Sequence, residues 1–218
     1  MNIFRSDGSR ATDLTASGSR KSLSAEAAHK AIKKLELEKT SPQFRAIDRG
    51  RIAIFIDGQS LLYAAWQLGI EIDYLRLLRC LTAEARLLRP FFYTGVDPAN
   101  DKQNSFLLWL ARNGYRVVSK DLIQFADGSK KADLNVEISV DMLTLVPYYD
   151  TAILVSGDGD LAYAVDAVSY KGVRVEIVGL RSMTSDRLIN YADCYIDLED
   201  IKDGIQKVTS PTYFSNAD

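Results

Sequence analysis

The sequence predicts an α/β domain in which a mostly parallel sheet of about five strands carries helices on both faces. Three observations lead there. The runs "RIAIFID" (51–57) and "TAILVS" (151–156) are short and almost wholly apolar, as in strands buried on both faces of a parallel sheet. Strand-like and helix-like segments then alternate from Arg51 to Leu198, and such alternation calls for right-handed crossovers. Finally, turn residues such as Gly114 and Gly172 punctuate the alternation.

Taken in order, the first strand is 51–57. A helix is predicted over "YLRLLRCLTAEARLL" (74–88), a strand over "RPFFYTGV" (89–96), a helix through "SFLLWLARNG" (105–114) and a strand over "YRVVSK" (115–120). After "FADGSKK" a helix covers roughly Asp133 to Val146. The strand "TAILVS", the helix "LAYAVDAVSYKG" (161–172), the strand "VRVEIVG" (173–179) and a final strand in "CYIDL" (194–198) follow. Trp66, Trp109, Tyr163 and Tyr170 fall at helical spacing among apolar residues, which predicts core packing for them.

Outside this body, residues 1–45 read as a basic tail, poor in large apolar residues and largely disordered. Within it a short solvated helix is expected after Ser24, stopped by Pro42. The domain itself is expected over 51–200, and residues 201–218 give one short helix and a frayed end. Residues 1–50 carry ten Lys or Arg against six Asp or Glu, a net of +4, whereas 51–218 carry seventeen against twenty-three, a net of −6. The tail is basic and the body acidic.

Composition excludes several classes. With 47% hydrophobic and 26% charged residues the chain has the balance of a globular protein. No run approaches the roughly 18 apolar residues of a membrane helix, and no secretory pattern opens the chain, so the expected address is cytoplasmic with no membrane partner. Cys80 and Cys194 do not form a metal-ligand spacing and read as buried free thiols. The single histidine, His29, lies in the tail. Neither a zinc triad nor a Ser-His-Asp triad can be assembled in the body.

Ligands of such sheets gather at the carboxyl ends of the strands. Asp57 ends the first strand, while Asp158 and Asp160 follow "TAILVS"; all three share one rim if the two strands are neighbours. Asp133, Asn135, Glu137 and Asp141 lie on the helix between, although six residues of helix turn Asp141 well away from Asn135. Clustered carboxylates repel unless a cation sits among them, and oxygen donors without imidazole or thiolate favour Mg²⁺ or Mn²⁺. "GDGDLA" (157–162) also fits the G-x-G-x-x-A spacing of a dinucleotide site, but a pyrophosphate there would meet Asp158 and Asp160 head on. No nucleotide cofactor is therefore expected. "GDGD" is also similar to the late acidic motif of haloacid-dehalogenase-type phosphatases, whose nucleophile would fall at position 55, which is Phe. No P-loop sequence occurs.

Three ordered motifs, "IFIDGQSLLYAA", "KKADLNVEISVDML" and "LVSGDGDLAYAV", resemble the NYN domain, the LabA-like relatives of PIN-domain ribonucleases. The resemblance spans roughly Arg51 to Leu198. It implies a Rossmann-like three-layer PIN fold, an acidic pocket binding Mg²⁺ or Mn²⁺, and cleavage of RNA phosphodiester bonds. By the same resemblance Asp57, Asp158, Asp160 and Asn135 take the catalytic positions, and Asp57, Asp158 and Asp160 hold metal; Asp133, two residues before Asn135, is expected to join them as a metal ligand from the first turn of the helix. Ser60, Ser156 and Asp141 support them. Two positions depart from the family pattern: Ser60 stands where an asparagine is usual, and Asn135 where an aspartate is common. An amide ligates a hard cation without adding charge. The alternative expectation is thus an RNA-binding or regulatory NYN protein with weakened catalysis. Lys130, Lys131, Arg181 and Arg187 are the candidate RNA phosphate contacts. An edge strand or exposed helix could further support a homodimer.

Overall fold

In the computed structural model the described residues are 48–124, 128 and 130–208; the predicted tail, its helix, His29 and residues 209–218 lie outside them. The chain opens with β1 (Arg51–Asp57), α1 (Gly58–Leu68), α2 (Tyr74–Thr82), β2 (Arg86–Val96), α3 (Asp101–Arg112) and β3 (Arg116–Asp121). A two-stranded antiparallel pair, β4 (Ile123–Gln124) with β5 (Lys130–Lys131), precedes α4 (Asn135–Leu145). Then come β6 (Thr151–Val155), α5 (Ala162–Ser169), β7 (Arg174–Gly179), α6 (Asp186–Asn190), β8 (Cys194–Asp197) and α7 (Leu198–Ile205).

The main sheet has six strands in the order β3-β2-β1-β6-β7-β8, and every neighbouring pair is parallel. The expected parallel sheet is present with one strand more than predicted. From β1 the chain winds outward through β2 to β3, then returns to β6 and winds the other way. The order therefore reverses between β1 and β6. Such a reversal opens a crevice at the carboxyl ends of the two strands.

Alternation on β1 divides the core. Ile52, Ile54 and Ile56 face Leu61 of α1, Leu77 of α2 and Ile201 and Ile205 of α7 on one side. Ala53 and Phe55 face Ile138 and Met142 of α4 and Val165 of α5 on the other, where Phe55 stacks on Phe91 with centroids 5.4 Å apart. All five residues of β6 are buried, as their unbroken apolar run predicts.

Three expectations need correction. The helix predicted over 74–88 stops at Thr82 because Ala83 takes a positive φ of 47°, and Arg86 to Leu88 open β2 instead. A register shift between Ile52 and Ala53 leaves Leu88 without an opposite residue, just before Pro90, which cannot donate to a ladder. The aromatic residues assigned to the core are exposed: Trp66 by 82% and Tyr170 by 93%, with Tyr163 and Trp109 also at the surface. Their helices point these rings outward while the small residues Ala64, Ala65 and Ala164 pack inward. Cys80 and Cys194 are free but only half-buried. No helix among the described residues is long and apolar enough to cross a membrane.

Candidate acidic site at the switch point

β1 and β6 are paired from Ile52 opposite Thr151 to Ile56 opposite Val155, so Asp57 and Ser156 leave the sheet side by side. Asp57 caps α1. Its Oδ1 accepts the N–H groups of Gln59 (3.0 Å) and Ser60 (3.2 Å), and its Oδ2 accepts the hydroxyls of Ser60 (2.5 Å) and Ser156 (3.1 Å). The two hydroxyl oxygens are themselves 3.3 Å apart. Ser60 thus ties α1 to the end of β6 through a compact group of oxygens.

The turn after β6 is equally constrained. A Cβ on Gly157 would fall 2.2 Å from the Met183 carbonyl oxygen, and the Gly157 carbonyl accepts the N–H of Ser185 at 3.0 Å. Only glycine fits so close to another stretch of backbone. Asp158 then caps the 3-10 turn Gly159–Leu161: its Oδ1 accepts the Asp160 N–H at 2.9 Å. Its Oδ2 accepts the Asn135 amide at 2.8 Å, across from the first turn of α4. The helix end that would cradle a pyrophosphate in a dinucleotide site is occupied by the protein's own carboxylate.

Asp133 is exposed just before α4, where its Oδ1 accepts the Asn135 N–H at 2.9 Å. Asp57, Asp133, Asn135, Asp158 and Lys131 all line one cavity of about 60 Å³, with Tyr93 and Gly95 from the end of β2 as further walls. At about 30 Å³ per water molecule this volume is that of about two waters, enough for a small cation with one of its waters. Asp160 is exposed beside the cavity and does not line it.

The predicted supporting residue Asp141 also stands outside the cavity. It lines a separate groove, and its Oδ2 accepts the Tyr93 hydroxyl at 2.8 Å. Burial, and then the nearby Asp141 charge, push the Tyr93 phenol far above its usual range, so the hydroxyl remains a donor. Of the predicted phosphate contacts, Lys131 lines the cavity. The backbone of Lys130 pairs with Gln124 in the small hairpin. Arg181 is engaged by Asp186 and by the Thr184 carbonyl, and Arg187 lies exposed on α6. Sequence reading missed Tyr93 and Gly95, although the rule that strand ends form the rim would have found them once β2 was known to lie beside β1. It also missed Lys120, whose Nζ donates to the Asp133 carbonyl at 2.9 Å and pairs with Glu137 at 2.7 Å. That ammonium holds the Glu137 carboxyl below its usual range.

The premise that unbalanced carboxylates crowd this rim is corrected by these distances. Asp57 accepts four donors, which fills the roughly four lone-pair positions of a carboxylate. Asp158 accepts two and Asp133 one. No group of three His, Cys, Asp or Glu residues among the described residues is arranged to hold a metal by protein ligands alone. The donors nevertheless fit a hard cation that keeps much of its water, which needs only one or two carboxylates. Asp158 has acceptor positions to spare, and the Asn135 amide can present its oxygen by turning about its last torsion.

A doubly wound parallel sheet with an acidic cavity at its switch point is the arrangement of a Rossmann-like, PIN/NYN-like domain, and the comparisons agree. Residues 51–199 match the NYN domain family. The chain is 36% identical over 175 residues to the Low amplitude and bright protein LabA of Synechococcus elongatus, covering 77% of this chain and 94% of that protein. It also superposes on the crystal structure of a protein of unknown function from Vibrio parahaemolyticus, with a TM-score of 0.64 and 29% identity over 75% of this chain and all of that one. The chain belongs to the NYN domain family, in its LabA-like group. It is thereby a member of the PIN-like nuclease superfamily.

Proposed function

We propose that this protein is an endoribonuclease that uses Mg²⁺ or Mn²⁺ bound at the switch-point cavity to cleave RNA phosphodiester bonds. The observation that carries the reading is the convergence of Asp57, Asp133, Asn135 and Asp158 on one small cavity beside Lys131. Asp158 would hold the ion, with Asp133 and Asn135 reached through its waters, the hydrogen-bonded Asp57 carboxylate adding negative charge beside it, and Asp160 further out at the mouth. When bound, such an ion neutralises a phosphate oxygen and lowers the pKa of a coordinated water. The chain's own residues supply the rest. Ser60 and Ser156 fix the Asp57 carboxylate from two elements, and the Asn135 amide orients Asp158. Lys131 offers a cation to a phosphate entering the cavity, and Tyr93 closes its floor as a fixed neutral donor. Residues 51–218 contain no histidine, so carboxylates and lysine are the groups left to move or stabilise a proton.

A second reading, an RNA-binding or regulatory protein with weakened catalysis, is favoured by the four donors that already fill Asp57. One experiment separates them. Labelled single-stranded RNA incubated with the purified protein and Mn²⁺ or Mg²⁺ should be cleaved, EDTA should abolish cleavage, and Asp158→Asn should slow it by about 100-fold or more. Cleavage that persists in EDTA, or survives Asp158→Asn unchanged, rejects the enzyme reading. RNA binding without any cleavage selects the second.

A further inference from the structure

A second concavity, of about 600 Å³, runs down the sheet from the acidic cavity between β3 and α4. On this face β2 presents Arg89, Phe91 and Tyr93 in alternation, and β3 presents Arg116, Val118 and Lys120, with Phe91 directly opposite Arg116. Helix α4 borders it with Val136 and Val140, one turn apart, 69% and 54% exposed. The groove therefore has an apolar wall on the helix, an aromatic ring in its floor and two arginines at its far end. Neither Arg89 nor Arg116 has an ion-pair or side-chain hydrogen-bond partner among the described residues.

The acids of the groove are already engaged. Glu137 pairs with Lys120, and Asp141 receives the Tyr93 hydroxyl. These two interactions form the wall shared with the acidic cavity, because Tyr93 also lines that cavity and Lys120 also holds the Asp133 carbonyl. The groove thus adjoins the site across this wall. Tyr93 to Arg89 is four residues of strand, about 13 Å, and Arg89 and Arg116 stand on adjacent strands roughly 8 Å apart.

We infer that this groove is the track for single-stranded RNA leaving the cavity, with Arg89 and Arg116 on successive backbone phosphates and bases laid against Val136, Val140 and the edge of Phe91. Unpaired guanidiniums spaced along an apolar strip match a polyanion that carries a flat ring at each step. A duplex does not match, since its bases are turned inward. The inference rests on the ribonuclease reading for the kind of ligand, but it concerns binding alone and is measured without cleavage.

The test follows binding of a short labelled oligouridylate in EDTA over a series of KCl concentrations. Removing one cation from a phosphate of a single strand lowers the slope of log K against log salt by about 0.7, so Arg89→Gln with Arg116→Gln should lower it by about 1.4. Arg89→Lys with Arg116→Lys should keep the slope, and Arg112→Gln, on the opposite face, should leave both slope and affinity unchanged. Independently of any variant, wild-type protein irradiated with an oligonucleotide containing 4-thiouridine should form adducts within 89–96, 116–120 or 135–145. An unchanged slope in the double glutamine variant, or adducts confined to other elements, overturns the groove while leaving the nuclease reading intact. Failure of the wild-type chain to bind the oligonucleotide in EDTA overturns the groove, and failure to bind it with Mn²⁺ as well overturns both. Polyglutamate that competes as well as RNA at equal charge would assign the groove to an acidic protein partner instead, and overturns it too.

Discussion

At the cavity each side chain does structural work and remains available for chemistry, and Asn135 shows the balance most directly. Its amide donates to Asp158 at 2.8 Å, at the position where the family resemblance implies an aspartate. An aspartate there would set carboxylate against carboxylate. Without a cation, Asn135→Asp should therefore lower stability by roughly 1–3 kcal/mol, through removal of a hydrogen bond and like-charge repulsion. A divalent ion should reverse the order. Adding Mn²⁺ should raise the melting temperature of Asn135→Asp by more than that of the wild-type chain, because binding to the native state stabilises in proportion to affinity. A melting temperature equally insensitive to Mn²⁺ in both proteins would remove metal from this corner of the cavity. The same residue helps the acidic turn bear its charge: the Asp158 carboxylate accepts hydrogen bonds from an amide and a backbone N–H, and the turn is kept tight by Gly157.

Among the elements, β1, β6 and β7 were legible because each is a short run of apolar residues that only a doubly covered strand can bury. The boundary of α2 was not. Leu87 and Leu88 continue a helical pattern in sequence, and what ends the helix is the backbone of Ala83, which no side chain announces. The site was half legible for the same kind of reason. Asp57, Ser156 and Asp158 follow strands whose identity was plain, whereas Tyr93, Gly95 and Lys120 become neighbours only through the strand order. The base of the sheet holds a further device beyond the reach of sequence. Arg49 grips Glu176 of β7 at 2.7 and 3.2 Å and the Leu81 carbonyl of α2 at 2.8 Å, with Arg49 and Glu176 only 4% and 3% exposed. Arg174 adds a second ion pair to Glu176 at 2.9 Å. Glu176→Gln removes the carboxylate that pairs with this buried guanidinium and should cost about 3–5 kcal/mol in chemical denaturation. Arg49→Met combined with Glu176→Leu should cost far less than the two single changes summed, since an apolar pair removes both desolvation penalties. Additive losses would mean that the pair acts through packing alone.

For the domain as a whole, the buried tyrosines set an upper limit on the pH at which the fold survives. Tyr93, Tyr115 and Tyr149 are almost fully buried, and their hydroxyls donate to Asp141, the Tyr74 carbonyl and the Met142 carbonyl. Burial is the largest cause that pushes all three phenols far above their usual range, and it raises that of Tyr74 to about 12. An unfolded tyrosine gives up its proton near pH 10. Between that pH and the folded value the native state keeps protons that the unfolded chain has lost, so the stability is fully present below about pH 10 and falls as pH rises above it. Each such group removes about 1.4 kcal/mol per pH unit, and four together about 5 kcal/mol per unit. The half-buried Cys80 thiol, raised to about 11, acts in the same direction. A domain of ordinary stability, about 5–15 kcal/mol, cannot withstand that slope for more than a few units. Urea denaturation at a series of pH values should show a plateau up to about pH 8.5, a shallow decline above it from the thiol, a steep decline beyond about pH 10, and a phenolate absorbance that rises with unfolding. Tyr115→Phe should flatten the decline by about 1.4 kcal/mol per unit, because it removes one raised proton site. A decline equally steep without Tyr115, or no decline by about pH 11, would show that these hydroxyls ionise inside the folded core and that the two layers are looser than their packing implies.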